Sequence, residues 1–463
     1  MRRAGWGKPR TAGGIAVAQI AGIEFDLVEA LKQHRSRSFA DWSYSGDAER
    51  RAAHGLIQYP AMMVPSMQRD ILRAVISVAP QAKTVLDPFV GSATALTEAL
   101  AAGKSFVGYD INPLAILIAQ VKAKPIHAEL YAAAAQEVLT NLARDKRLDY
   151  EVHFRNQQKW FRRSNSIGLS RIRRAVERLT NLHCRRFMWV ALAETIRRCS
   201  NSRTSTYKLH IRDEEELARL DGAALSIFRS VMAENVKRMI AEKARLKELG
   251  VLSCGKLTSD VVVELGDICR LPESKKTSAV DIVLTSPPYG DNRTTVPYGQ
   301  FSYLALRWIP HEDIDPTINE EWLCTTHTLD TASLGGGYNE LTKQELERLS
   351  DRSRAFRRMY SRLASLDRDA ARRWANYCKD LDSSVSNISA ILRAGGYLVW
   401  TIGQRRIRSL NAPLVKVLGD LHMANKIDPI FHLRRKIPSK RMPTHNAIGS
   451  LMQFEQVCFF RKP

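Results

Sequence analysis

Residues 84–110 restrict the fold more than any other stretch of the chain. Thr84-Val85-Leu86-Asp87 is an apolar run ending in an acid, and Pro88-Phe89-Val90-Gly91-Ser92 follows as a tight turn of mostly small residues. Ala93 to Ala102 has helical composition, and Ser105-Phe106-Val107-Gly108-Tyr109-Asp110 reads as the next strand. Strand, glycine turn, helix and strand in that order predict a Rossmann-like nucleotide site. Gly91 lets a ligand approach the backbone closely, and the helix N-terminus beyond it favours a carboxylate or similar anion. Asp110 follows Asp87 by about the interval expected between such a turn and a ribose-binding carboxylate. The candidate ligand residues are therefore Asp87, Pro88, Phe89, Gly91, Ser92, Asp110, Ile111 and Asn112.

A second motif lies far downstream. Ser286-Pro287-Pro288-Tyr289 directly follows the apolar run Val280-Asp281-Ile282-Val283-Leu284, which reads as a buried strand. Each proline fixes φ and removes a backbone donor, so the nearby carbonyls face outward without a competing N–H. Such a rim accepts hydrogen bonds from an exocyclic amine while an aromatic ring stacks on its base. A Pro-Pro turn closing a strand is the plain alternative for these four residues taken alone.

Taken together, the two stretches resemble the S-adenosylmethionine-dependent DNA methyltransferases that modify exocyclic amines, the cytosine-N4 and adenine-N6 enzymes. A bare nucleotide site accounts for residues 84–112 but leaves Ser286 to Tyr289 unexplained. Further segments match. Tyr59-Pro60-Ala61 resembles the segment that closes over the methionine end of the cofactor, although the usual lysine two places on is Met63 here. Gly266-Asp267-Ile268 occupies the place of the third-strand acid near the adenine, and Gly395-Gly396 leads into a fifth strand ending at Gly403. The family usually has a second glycine where this chain has Ala93. The resemblance implies a class I methyltransferase sheet with two largely helical insertions. It also implies S-adenosyl-L-methionine as cofactor, double-stranded DNA as substrate, and a cognate restriction endonuclease among the candidate partners.

Composition narrows the partners. The chain has 463 residues, a net charge of +22 and a pI near 9.9, which suits a polyanionic ligand better than a small neutral one. Seven cysteines are dispersed without a Cys-x-x-Cys pair, arguing for reduced thiols in a cytoplasm and against a zinc site. No run approaches the ~20 apolar residues of a membrane span, and no signal peptide stands out. A soluble cytoplasmic protein without a metal site is expected.

Strand-like and helical segments divide the chain into a basic extension (1–55), the cofactor half of the core (56–125), a helical basic insertion (126–255), the catalytic strand (256–290), a loop and helical insertion (291–390), and the closing strands (391–463). Between Arg155 and Arg198 twelve cations face only Glu177 and Glu194, with Trp160-Phe161 interleaved. This pattern suits phosphate and base contacts, and Arg162, Arg163, Arg171 and Arg174 are expected to bind DNA, as are Lys440 and Arg441 in the terminal hairpin. A solvated helix face is the competing reading of any single arginine there. The loop after Tyr289 adds Arg293 as a phosphate contact and Tyr298 or Phe301 to fill the gap left by an extruded base.

The resemblance also implies a mechanism: base flipping, a ring stacked on Tyr289, and an amine held by Ser286 and the Pro287 carbonyl. Serine at the first position is commoner in cytosine-N4 enzymes, whereas aspartate or asparagine favours adenine-N6. Cytosine N4 is thus the favoured target. Adenine N6, an RNA guanine-N2 activity and a silent DNA-binding protein remain open.

Overall fold

The computed structural model describes residues 11–12, 15–17, 23–34, 42–44, 51–276, 279–291, 295–437 and 453–463. The expected contacts Arg293, Lys440 and Arg441 lie outside these residues, as does most of the basic extension.

Seven strands build the central sheet: β1 (Thr84–Asp87), β2 (Ser105–Asp110), β3 (Val261–Leu265), β4 (Val280–Thr285), β5 (Leu392–Gly403), β6 (Asp428–Lys436) and β7 (Phe454–Arg461). Their order is β3-β2-β1-β4-β5-β7-β6, with the short segment Ile15–Val17 pairing outside β6. The first five strands pair in parallel, and β7 runs antiparallel between β5 and β6. This is a Rossmann-like sheet of parallel strands, extended at one edge by an antiparallel pair.

Both faces of the sheet are covered, which explains why its strands read as continuous apolar runs. Side chains alternate along a strand. Val85, Ile282, Leu284, Val399, Val457 and Phe459 therefore fall in one core cluster, whereas Leu86, Val283, Leu398, Trp400, Cys458 and Phe460 fall in the opposite one. Against the first face pack α1 (Pro65–Val78) and α2 (Thr94–Ala101). A third cluster centres on α3 (Pro113–Lys122) and spreads through the first insertion. Its helices are α4 (Ala128–Arg144), α5 (Arg163–Glu177), α6 (Leu182–Cys199) and α7 (Ala224–Glu248), and it ends on α8 (Tyr298–Leu306). The first insertion thus shares one hydrophobic core with the sheet's own helix α3.

The second sheet face carries α9 (Arg354–Leu366), α10 (Arg368–Ile391) and α11 (Leu414–Ala424). Residues 291–390 are the expected loop and helical insertion. Helix α10 at the end of this segment makes the crossover from β4 to its parallel neighbour β5, a connection that parallel pairing requires. Among the described residues no helix is long and apolar enough to cross a membrane.

Candidate active site

A cleft opens at the carboxyl ends of β1, β2, β3 and β4, where doubly wound sheets place their ligands. Both motifs reach it. The turn after β1 contributes Pro88, Phe89, Gly91 and Ser92, and β2 contributes Asp110, Ile111 and Asn112. Asp267 and Ile268 follow β3, Tyr59 and Pro60 close one side, and Ser286 and Pro288 follow β4.

Local chemistry explains the turn. Gly91 has φ +47°, and a Cβ there would sit 3.4 Å from the Tyr59 ring. Its N–H donates to Asp110 Oδ2 at 2.8 Å, while Asn112 N–H donates to Asp110 Oδ1 at the same distance. The strand-end carboxylate thus ties the two turns together and keeps lone pairs for a ligand. Burial pushes its pKa up to about 6, against the pull of those amides. Asp87 lies behind the turn, fully buried, accepting from Thr285 Oγ1 at 2.6 Å and from Phe89 N–H at 3.1 Å. Burial raises it to about 7, with the Thr285 bond opposing. Its Oδ2 is buried with no hydrogen-bond partner among the described residues, which suits a protonated carboxyl.

Tyr59 is held on three sides. Its ring stacks on Tyr298 at 6.0 Å, meets Phe301 edge-on at 5.5 Å, and its hydroxyl accepts from Asn112 Nδ2 at 3.0 Å. Asn112 also caps α3 through Leu114 N–H. Met63 lines the cleft where the resemblance expects a lysine. Asp267 lines it too, while capping the 3₁₀ turn Ile268–Arg270.

The tetrapeptide is braced from three distant elements. Tyr377 of α10 donates to the Pro288 carbonyl at 2.9 Å. Arg405 pairs with Asp291 at 2.8 Å and occupies the space beside Gly290, whose φ is +152°. The Ser286 hydroxyl lies 3.2 Å from the Tyr289 hydroxyl, which donates to Glu455 Oε1 at 3.2 Å. Burial raises the Tyr289 hydroxyl pKa well above its ordinary value, and Glu455 adds to that. Sequence reasoning missed Tyr377, Arg405 and Glu455. It also missed Asp330, a buried carboxylate on the cleft wall that accepts from Gly299 N–H at 2.7 Å at the start of α8. None of these four carries a local signal, since each acts across a long stretch of chain.

The expected DNA contacts fall into different places. Arg174 is buried, with Nε donating to Asp145 at 2.8 Å and Nη1 reaching Glu151 at 3.4 Å. Arg171 donates to the Leu142 carbonyl, and Arg162 pairs with Glu214 and Asp221. Arg163 is exposed and lies over the Tyr150 ring. Further along the same stretch, Arg185 is paired with Asp313, and Arg197 and Arg198 share Glu194. Acids outside and inside the stretch thus neutralise much of the cluster. Tyr298 lines the cleft beside Tyr59.

No family model matches the chain. Over 407 residues it is 28% identical to the type II methyltransferase M.MvaI of Kocuria varians, an alignment spanning 84% of this chain and 85% of that one. A solved structure, the rRNA methyltransferase aviRa of Streptomyces viridochromogenes, superposes with a TM-score of 0.33 and 11% identity, over 92% of this chain and 95% of that one.

Proposed function

We propose that this chain is a site-specific DNA methyltransferase that moves a methyl group from S-adenosyl-L-methionine to the exocyclic amine of an everted base, cytosine N4 being favoured. The observation that carries the reading is the shared cleft: Gly91, Asp110 and Tyr59 line it together with Ser286 and Pro288. The likeness to a type II methyltransferase over most of both chains supports the same reaction class.

The residues present fit the cofactor. Asp110 keeps acceptor lone pairs for ribose hydroxyls, the Gly91 turn has no side chain to block a close approach, and Tyr59 with Met63 offers an apolar wall. When bound, the sulfonium supplies an electrophilic methyl. The rest is positioning. Ser286 and the Pro287 carbonyl receive the target amine, and Tyr289 meets the ring of the flipped base, whose extraction costs a few kcal/mol. The bracing of Pro288 by Tyr377 and of the following loop by Arg405 keeps these acceptors in place.

Phosphate contacts are best sought where cations lack internal partners. Helix α9 presents Arg354, Arg357, Arg358 and Arg362 to solvent, and none of these guanidinium groups has an ion pair or hydrogen bond to a described residue. The opposite face of the helix is anchored by buried Phe356, Met359 and Leu363. Of the original candidates, Arg163 retains the exposure that a phosphate contact needs.

Incubating the protein with labelled cofactor and either duplex DNA or tRNA tests the substrate class. Digestion to nucleosides then identifies the base, with N4-methylcytosine expected. N6-methyladenine would establish the second reading, and transfer to tRNA alone would defeat the proposal.

A further inference from the structure

We infer that Glu455 sets the hydrogen-bond polarity of the reaction centre and makes Ser286 an acceptor toward the target amine. Glu455 lies in β7 opposite Gly403 at the end of β5, which brings it to the catalytic edge of the sheet. Its Oε1 accepts from the Tyr289 hydroxyl at 3.2 Å, across 166 positions of sequence. Its Oε2 lies 3.4 Å from Nη1 of Arg435, which is 3% exposed and faces Glu455 in register across β6 and β7.

A carboxylate paired with a buried guanidinium can only accept. The Tyr289 hydroxyl has one hydrogen, and Glu455 takes it. Its oxygen is left as an acceptor, 3.2 Å from Ser286 Oγ. One hydrogen must lie between those two oxygens, so Ser286 supplies it. With its only hydrogen committed to Tyr289, Ser286 presents lone pairs to the cleft it lines. Such a group welcomes a donor, which an exocyclic amine is, and repels the carbonyl of a keto base.

Serine alone is ambivalent, able to donate or accept. The chain Arg435–Glu455–Tyr289–Ser286 removes that ambivalence without Glu455 touching the substrate. Glu455 is therefore a positioning residue. The inference rests on the reading of Ser286 as the group that meets the amine.

The test is steady-state methylation of duplex DNA by the wild type, Glu455→Gln, Tyr289→Phe and the double variant. The amide of Glu455→Gln keeps the shape but can donate, which reverses the hydrogen-bond order. Tyr289→Phe keeps the ring and the Glu455–Arg435 pair but deletes the link. Each single variant should lose about 10- to 100-fold in kcat. KM for DNA and Kd for the cofactor should stay within about twofold, the pattern of an interaction made in the transition state. The double variant should be no worse than the poorer single variant, because both cut one chain. Near-normal kcat in Tyr289→Phe, or losses that multiply in the double variant, would overturn the inference, even if Glu455→Gln fails to fold. Wild-type protein that transfers no methyl to duplex DNA would overturn the function itself, and the inference with it.

Discussion

Four residues around the turn after β1 and the end of β2 show how much a single backbone position or carboxyl decides. Gly91 occupies the left-handed region and faces Tyr59. Gly91→Ala should lower stability by about 1–2 kcal/mol through its positive φ, and weaken cofactor binding by placing a methyl in a turn built for close approach, both measurable by thermal melts with and without ligand. Ala93 also has positive φ, +59°, at the buried start of α2. A glycine there would meet no such penalty, so the departure noted in the sequence is a tolerated strain at a real turn. The two carboxyls, Asp87 buried and Asp110 partly exposed, both have raised pKa values and control different properties with pH. Asp87 rises from 3.8 to about 7, so its protonated form favours the fold. Its stabilisation is complete below the ordinary carboxylate range and is lost as pH climbs through about 7. The wild type should therefore lose stability relative to Asp87→Asn between those limits, read as a changing difference in Tm. Asp110 is raised to about 6 and must be ionised to accept best from ribose hydroxyls. Cofactor affinity should fall as pH drops below about 6, and Asp110→Asn should bind weakly with no such slope.

At the scale of elements, the first insertion supports the segment that carries Tyr59 to the cleft wall. Helix α7 packs beneath the 3₁₀ segment Ala52–Gly55, just before Tyr59. Asn235 donates to the Leu56 carbonyl at 3.0 Å, and Glu242 accepts from Ala53 N–H at 3.5 Å. From α6, Glu194 accepts from Gln58 N–H at 3.3 Å. Asn235→Ala strands a buried carbonyl and should cost about 1–3 kcal/mol, with a matching loss of cofactor affinity seen by calorimetry. Unchanged affinity would mean that Tyr59 is placed without α7. The strands of the sheet were legible because each is a short apolar run bounded by turn residues. The role of α7 was not, since its Lys/Glu-rich composition reports only the solvent-facing side of the helix. The same limit applies to α10, whose place between β4 and β5 follows from strand pairing and not from its own residues.

Over the whole molecule, net charge and charge placement are different quantities. A value of +22 predicts attraction to polyanions, yet it does not say which cations are free to meet one. The arginine-rich stretch 155–198 looked like the nucleic-acid surface, but folding brings Asp145, Glu214, Asp221 and Asp313 onto it. The arginines of α9 meet no such acids among the described residues. Replacing Arg354, Arg357, Arg358 and Arg362 with glutamine should weaken DNA binding and reduce the salt dependence of log K by up to about four units of slope. Arg174→Gln should instead leave the slope unchanged and cost about 3 kcal/mol of stability, because it abandons the buried Asp145 carboxylate. Filter binding across salt concentrations, with Tm as control, separates the two outcomes.

What the sequence determined by itself was local: the strand–turn–helix around Gly91, the acid closing β2, and the rigid tetrapeptide after β4. Each is written in adjacent residues whose backbone preferences and hydrogen-bonding groups act over a few positions, so each could be read in place. Only the tertiary structure decided that Asp330 lines the cleft, that Glu455, Tyr377 and Arg405 brace the tetrapeptide and the loop after it, and that Arg174 faces an acid. Those pairings depend on strand order and helix packing, which bring together groups that no spacing rule connects.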